Sequence, residues 1–242
     1  MKIKTFLYPK SVAITLLAVF GIYICVSAAQ WQYHRGQNRH AENVRVKQLL
    51  TQNPVLLDAN NNNFPTWSKV KLSGNFDKAH QVLVRGRYRS DKYGFDVLTL
   101  FRTSNAKPIW VDRGWVEAVG DATEIPIPPA APNGTMEIIG VLRAYDEKES
   151  TTGSLIALPA PKVGKIQVSK LDENFNSPRY EMYLQLTSDL GDSPIPADMP
   201  TFSDGPHYAY ALQWSFFVLL IAVGRVLIGR EELRSKLTSV KL

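Results

Sequence analysis

Two apolar runs, one at each end of this 242-residue chain, constrain its fold more than anything between them. Ser11–Gln30 (SVAITLLAVFGIYICVSAAQ) contains no ionisable group except Tyr23 and Cys25. Tyr208–Ile228 (YAYALQWSFFVLLIAVGRVLI) contains one formal charge, Arg225, near its end. About 20 helical residues at ~1.5 Å each cross a hydrocarbon core of roughly 30 Å, and only a helix satisfies an isolated backbone there. Arg225 is expected to snorkel to the headgroups. Trp31 and Tyr33 close the first run, and Tyr208, Tyr210 and Trp214 open the second. These aromatics suit one membrane interface, on the side of the central loop.

Charge then sets the orientation. Of the net +6, Met1–Ser11 contributes +3 through Lys2, Lys4 and Lys10. Arg225–Leu242 contributes five bases (Arg225, Arg230, Arg234, Lys236, Lys241) less two acids (Glu231, Glu232), again +3. The remaining 20 bases and 20 acids cancel (28 − 8 and 22 − 2). A basic excess confined to two short ends argues against a nucleic-acid partner. It places both termini in the cytoplasm, and a loop of about 170 residues is long enough to cross despite its charges. The expected division is a cytoplasmic N-terminus (1–10), a first transmembrane helix (11–31), a periplasmic domain (32–206), a second transmembrane helix (207–228) and a cytoplasmic tail (229–242). Lys10, the apolar run and Val26-Ser27-Ala28 also resemble a cleaved signal peptide. The run is long for that, and aromatics follow it. The lone cysteine, Cys25, rules out a disulfide framework and reads as an inert thiol within the first span.

After the first span, Arg35–Thr51 is polar, with Val44, Val46, Leu49 and Leu50 toward its end, and is expected to continue the helix. From Trp67 onward, short alternating runs are punctuated by Gly, Pro and Asn. Trp67–Phe76, Gln81–Arg87, Gly94–Arg102, Pro108–Val116, Thr135–Tyr145 and Tyr180–Thr187 have strand length and β-branched or aromatic content, and Lys165–Val168 is a weaker strand. Gly120–Gly134, with Pro126, Pro128, Pro129 and Pro132, is a loop. Short strands with no helical pattern between them predict a mainly antiparallel β domain, a small barrel or sandwich, flanked by two transmembrane α-helices. No internal repeat and no coiled-coil heptad is evident.

No hydrolase, metalloprotease or phosphate-loop motif is present, and the histidines stand at 34, 40, 80 and 207 without metal-site spacing. His80 reads as a solvated loop residue. The informative positions lie at the mouths of the spans. On a helix, Tyr210, Ala211, Trp214 and Val218 share a face with His207, at offsets of 3, 4, 7 and 11. That face sets an imidazole above apolar and aromatic groups, and a neutral imidazole is a good ligand for haem iron. The bland alternative is an interfacial histidine bonded to headgroups. Trp31 and Arg35 are four apart and share a face, where Arg35 can fork onto a carboxylate such as a haem propionate or meet a lipid phosphate. His34 and His40 are candidate second ligands or solvated residues. Ile109–Val116 (IWVDRGWV) reads either as core packing by Trp110 and Trp115 or as a partner-docking surface carried by Asp112, Arg113 and Trp115, and Gly114 permits a bulge or a close backbone approach.

In order along the chain, four stretches carry a likeness. Trp31-Gln32-x-x-Arg35 resembles the WQxxR signature of the surfeit-locus-one family, membrane proteins that assist assembly of cytochrome c oxidase. Val111-Asp112-Arg113-Gly114-Trp115-Val116 is similar to its V-[ND]-R-G-W-V strand. Tyr183-Leu184-Gln185-Leu186 matches a looser motif, and His207-x-x-Tyr210-Ala211-x-Gln213-Trp214 is close to the family's opening of the second span. The resemblance implies a respiratory-chain chaperone of the bacterial inner membrane rather than an enzyme. It implies haem a as a transiently bound cofactor, with His207 as axial ligand, lying between the two spans against Tyr210, Trp214 and Trp31, its propionates near Arg35. The implied partners are oxidase subunit I, haem a synthase and membrane lipids. The competing readings are a haem-free scaffold that docks an oxidase intermediate, and a membrane-tethered hydrolase or solute receptor.

Overall fold

The apolar run and the polar stretch after it form one uninterrupted helix, α1 (Pro9–Thr51), in the computed structural model. The structure describes residues 9–60, 63–120, 126–144, 156–157, 163–164, 180, 182–188, 190–191, 194–199 and 201–239. At ~1.5 Å per residue, the 43 residues of α1 extend about 65 Å, roughly twice a hydrocarbon core. The second run opens α2 (His207–Ser239). Both helices are long and apolar enough to cross a membrane, and only 6% of the most apolar stretch of either is buried in the protein. A helix in a soluble core would bury its apolar face. Here Leu16, Leu17, Phe20, Leu212 and Leu219 are exposed, as lipid-facing residues are.

Residues 1–45 and 201–242 form one compact unit, and Val46–Pro200 forms a second. In the first, the helices run antiparallel along a seam. Among the buried and half-buried positions of α1, Ser11, Thr15, Ala18, Ile22, Cys25, Ala29, Gln32 and Gly36 follow one another at alternating steps of four and three. On α2, half-buried His207, Ala211, Trp214, Val218, Ile221 and Arg225 follow the same rhythm. This is a heptad seam, contrary to the sequence reading, and it escapes a search for large apolar residues because it is written largely in small and polar ones. A methyl group on Gly21 would touch Ile221 at 3.4 Å, which shows how close the helices run. Arg225 also departs from expectation. It turns into the seam, where Nε donates to Thr15 Oγ1 (2.9 Å) and Nη2 to Ser11 Oγ (3.0 Å), while Ser11 Oγ donates to Glu232 (2.8 Å). Polar partners on the neighbouring helix replace the headgroups.

The second unit is a mixed β-sheet. Its strands among the described residues are β1 (Val55–Leu56), β2 (Lys69–Arg89), β3 (Lys92–Thr103), β4 (Ile109–Glu117), β5 (Met136–Ala144), β6 (Ile156–Ala157), β7 (Val163–Gly164) and β8 (Met182–Leu186). The runs Trp67–Phe76 and Gln81–Arg87 merge into the 21-residue β2, which stays paired with β3 across irregularities between Asp77 and Gln81 and between Val84 and Arg87. Ser90 and Asp91, both at positive φ (50° and 63°), make the tight turn from β2 to β3. β2 pairs with β3 and β5, β3 with β4, β4 with β8 and β8 with β5, so these pairings return to their start. Most are antiparallel as expected, but β4–β8 and β1–β2 are parallel. The main core gathers Val70, Leu72, Phe101, Ile109, Ile138 and Leu184. The weaker strand at Lys165–Val168 falls outside the described residues.

Candidate functional site

The His207 end of the helical hairpin is built by small residues and directed bonds. Asp204 accepts from Asn43 (2.8 Å) and pairs with His40 Nδ1 (2.8 Å), which ties the segment before α2 to α1. Gly205 turns at φ 70°, and Tyr210 N–H donates to Pro206 O (3.0 Å), starting α2. Gly36 lies against this start. A Cβ there would come within 3.0 Å of the Tyr208 ring and 3.3 Å of His207 Cβ, so any larger residue would push these side chains back by a few tenths of an ångström. His207 is half-buried, and its Nδ1 lies 2.9 Å from Gln32 Oε1. An amide oxygen only accepts, so Nδ1 is the donor here, and in the neutral ring that leaves the lone pair on Nε2. Nε2 has no hydrogen-bond partner among the described residues, and a side chain at Gly205 would reach within 3.6 Å of it.

Of the residues the sequence grouped with His207, Trp214 is half-buried and meets Phe217 edge-on at 5.6 Å. Trp31 (59%), Tyr210 (46%) and Arg35 are exposed. With about 100° per residue, Trp31 and Arg35 on α1 and Tyr210 and Phe217 on α2 turn to the same flank of the hairpin. The opposite flank holds an open cleft of about 470 Å³ lined by Ala29, Gln30, Tyr33, His34, Tyr208, Ala211, Leu212 and Ser215. Tyr33 meets Tyr208 edge-on at 5.9 Å and His34 at 6.0 Å. The helices pack closely at the levels of Gly21 and Gly36, and the cleft, lined by residues of both helices, opens along one flank of the seam. Gln32 entered the sequence reading only within the WQxxR likeness, with no role assigned, and Gly36 did not enter it. Their signal was a polar and a small residue four apart on the stripe that also holds Cys25 and Ala29.

The second patch is a correction. Asp112 (6%), Arg113 (2%) and Trp115 (6%) are buried, so their side chains hold the β unit together rather than present a docking surface. Gly114, at φ 123°, bulges the strand against Ile195 O, a contact that leaves no room for a Cβ. Asp112 Oδ1 accepts from Gly114 N–H (3.0 Å). Burial, reinforced by the nearby Asp96 carboxylate, pushes the Asp112 carboxyl up to about 7. Among the described residues, Arg113 has no carboxylate partner. It donates to Gln81 Oε1 (3.1 Å), Pro129 O (3.0 Å) and Ala130 O (3.1 Å), and burial lowers it to about 10. Nearby, His80 is not a solvated loop residue. It sits in the β2 irregularity with Nδ1 2.7 Å from Asp77 Oδ2, and Arg102 Nε adds 2.8 Å to the same oxygen. Burial raises the Asp77 carboxyl, but these two partners outweigh it and hold it below the ordinary range. Among the described residues, no group of three His, Cys, Asp or Glu side chains could hold a metal ion.

A family model of the SURF1 family matches residues 19–219, which takes in most of α1, the whole β unit and the opening of α2. SURF1-like proteins of Mycobacterium bovis and of two Mycobacterium tuberculosis strains are 26% identical over 238 residues, covering 95% of this chain and 87% of each relative. The match includes the Gln32 and His207 helices and the strand with Asp112 and Arg113. The chain belongs to the SURF1 family, known broadly as oxidase assembly factors.

Proposed function

We propose that this protein is an assembly factor for cytochrome c oxidase that handles haem a at the His207 end of its helical hairpin. The chain is anchored in the bacterial inner membrane with both termini cytoplasmic and the β unit periplasmic, the orientation favoured by its two basic ends. The single observation that carries the haem reading is the His207 ring, with Nδ1 bonded to Gln32 Oε1 so that the neutral ring offers Nε2 to iron. Trp31 and Tyr210 supply apolar ring surface on one flank, and Arg35 offers a forked donor for propionates. Haem a itself supplies the redox iron destined for oxidase subunit I; the chain binds, orients and releases it. One axial histidine suits release better than two. Haem a synthase is the source and subunit I the acceptor, while lipid covers the remaining helix faces.

The test is the absorption spectrum of the full-length protein purified from cells with and without haem a synthesis. A haem a spectrum that His207→Ala abolishes supports the reading, and one that His207→Ala leaves intact removes it. The cleft favours a second reading, because its volume lies in the ordinary ligand range of roughly 300–1,000 Å³ and His34 stands in its lining. In that case His34→Ala, and not His207→Ala, removes the spectrum.

A further inference from the structure

We infer that Gln32 is a positioning residue that sets the tautomer and ring angle of His207, so that Nε2 is presented as the metal-binding nitrogen. The inference deepens the proposed haem site and rests on it. Three observations carry it. The bond from His207 Nδ1 to Gln32 Oε1 (2.9 Å) joins residues 175 apart in sequence, so it forms only when the helices are in register. Gly36, one turn along α1 from Gln32, lets His207 Cβ come this close, and the Asp204 contacts with His40 and Asn43 fix the chain just before it. Gly205 leaves the Nε2 side free of a side chain.

Histidines that bind metal almost always donate their other N–H to an acceptor, which fixes the ring and raises its basicity, and loss of that acceptor weakens binding about 10–100-fold. A neutral amide pulls on the proton less than a carboxylate does. Gln32 therefore orients the ring while leaving it a moderate ligand, as a protein that must let go of its cargo requires.

The experiment uses full-length protein in detergent, in two arms. In the first, the protein carries ¹⁵N-labelled histidine and no haem, at a pH where His207 is neutral. The wild type should show the Nδ1–H form dominant, and Gln32→Leu should shift His207 toward the Nε2–H form. An unchanged tautomer in Gln32→Leu overturns the inference. In the second arm, ferrous haem a is added and the iron–histidine stretch is read by resonance Raman. Gln32→Glu should raise the frequency. Gln32→Leu should lower it and weaken haem a binding about tenfold or more. If His207→Ala removes the band but both Gln32 variants leave it in place, the positioning role fails and the haem reading stands. If His207→Ala leaves the band, the axial-ligand reading fails, whatever the tautomer arm gives. Thermal melting of each variant separates these spectral effects from loss of fold.

Discussion

In the β unit, Val70, Leu72, Phe95 and Phe101 are withdrawn from solvent, while Lys78, Asp91, Lys92 and Glu117 are exposed. In the hairpin, Leu16, Leu17, Phe20 and Leu212 face outward, while Ser11, Cys25 and Asn43 are buried. One chain has thus solved packing twice, in opposite senses. Water drives large apolar groups together in the first unit. Lipid gives no such drive between helices, so the second relies on small residues that allow close approach and on bonds such as those of Arg225 with Ser11 and Thr15. Two inward-turned arginines show the contrast in miniature. Arg113 spends its guanidinium on Gln81 and the carbonyls of a proline-rich loop, whereas Arg225 spends its own on the opposite helix.

The same truncation made in both regions gives the largest expected contrast. Phe101→Ala, at a fully buried ring packed edge-on to Phe76 at 5.0 Å, should cost the β unit about 3–5 kcal/mol in chemical denaturation. Leu17→Ala, at 71% exposed on α1, should leave the protein's melting temperature in detergent unchanged. An equal loss at both sites would break the comparison.

Titration of Asp112 comes next. Its carboxyl is raised to about 7 in the folded chain, from a reference of 3.8, so the folded state holds the proton more tightly than the unfolded one. That stabilisation is complete below about 3.8, is lost as pH rises through about 7, and changes no further above it. Asp112→Asn keeps an acceptor for Gly114 and should flatten this decline. A parallel pH profile for the variant would assign the slope to other groups.

Two smaller effects probe the seam. Gly36→Val should force Tyr208 and His207 away from α1 at an overpacking cost of about 1–3 kcal/mol, read as weaker cross-linking between cysteines placed at 32 and 207. Arg225→Leu should cost about 1 kcal/mol, because interhelical bonds in membranes average ~0.6 kcal/mol each and reach at most ~1.7. The measurement is hairpin opening followed by a distance probe on the two helices. A loss several times larger would mean that the polar cluster, rather than close packing, holds the helices.

The sequence made the large divisions legible. Unbroken apolar runs marked both helices, and alternation marked most strands, because each pattern reports directly on a solvent boundary. It failed where two boundaries coincide. β4 is buried from Ile109 through Trp115, so its alternation no longer distinguishes inside from outside, and Asp112 and Arg113 read as surface residues. The two runs of β2 looked like separate strands because the irregularity around Lys78–His80 resembles a turn. The parallel pairing of β4 with β8 joins segments about 70 residues apart and leaves no local trace. At the candidate site, His207 and Trp214 were found through helical offsets. Gln32 was not, since an amide at the end of an apolar run says nothing until its partner 175 residues later is in place.

That separation also orders events during synthesis. Ser11 meets Glu232 only across 221 positions of chain, so the polar groups of α1 have no partner on α2 until the whole β unit has been made. The hairpin closes last. A nascent or truncated chain that lacks α2 would therefore carry α1 with its seam-facing hydroxyl and amide groups unanswered.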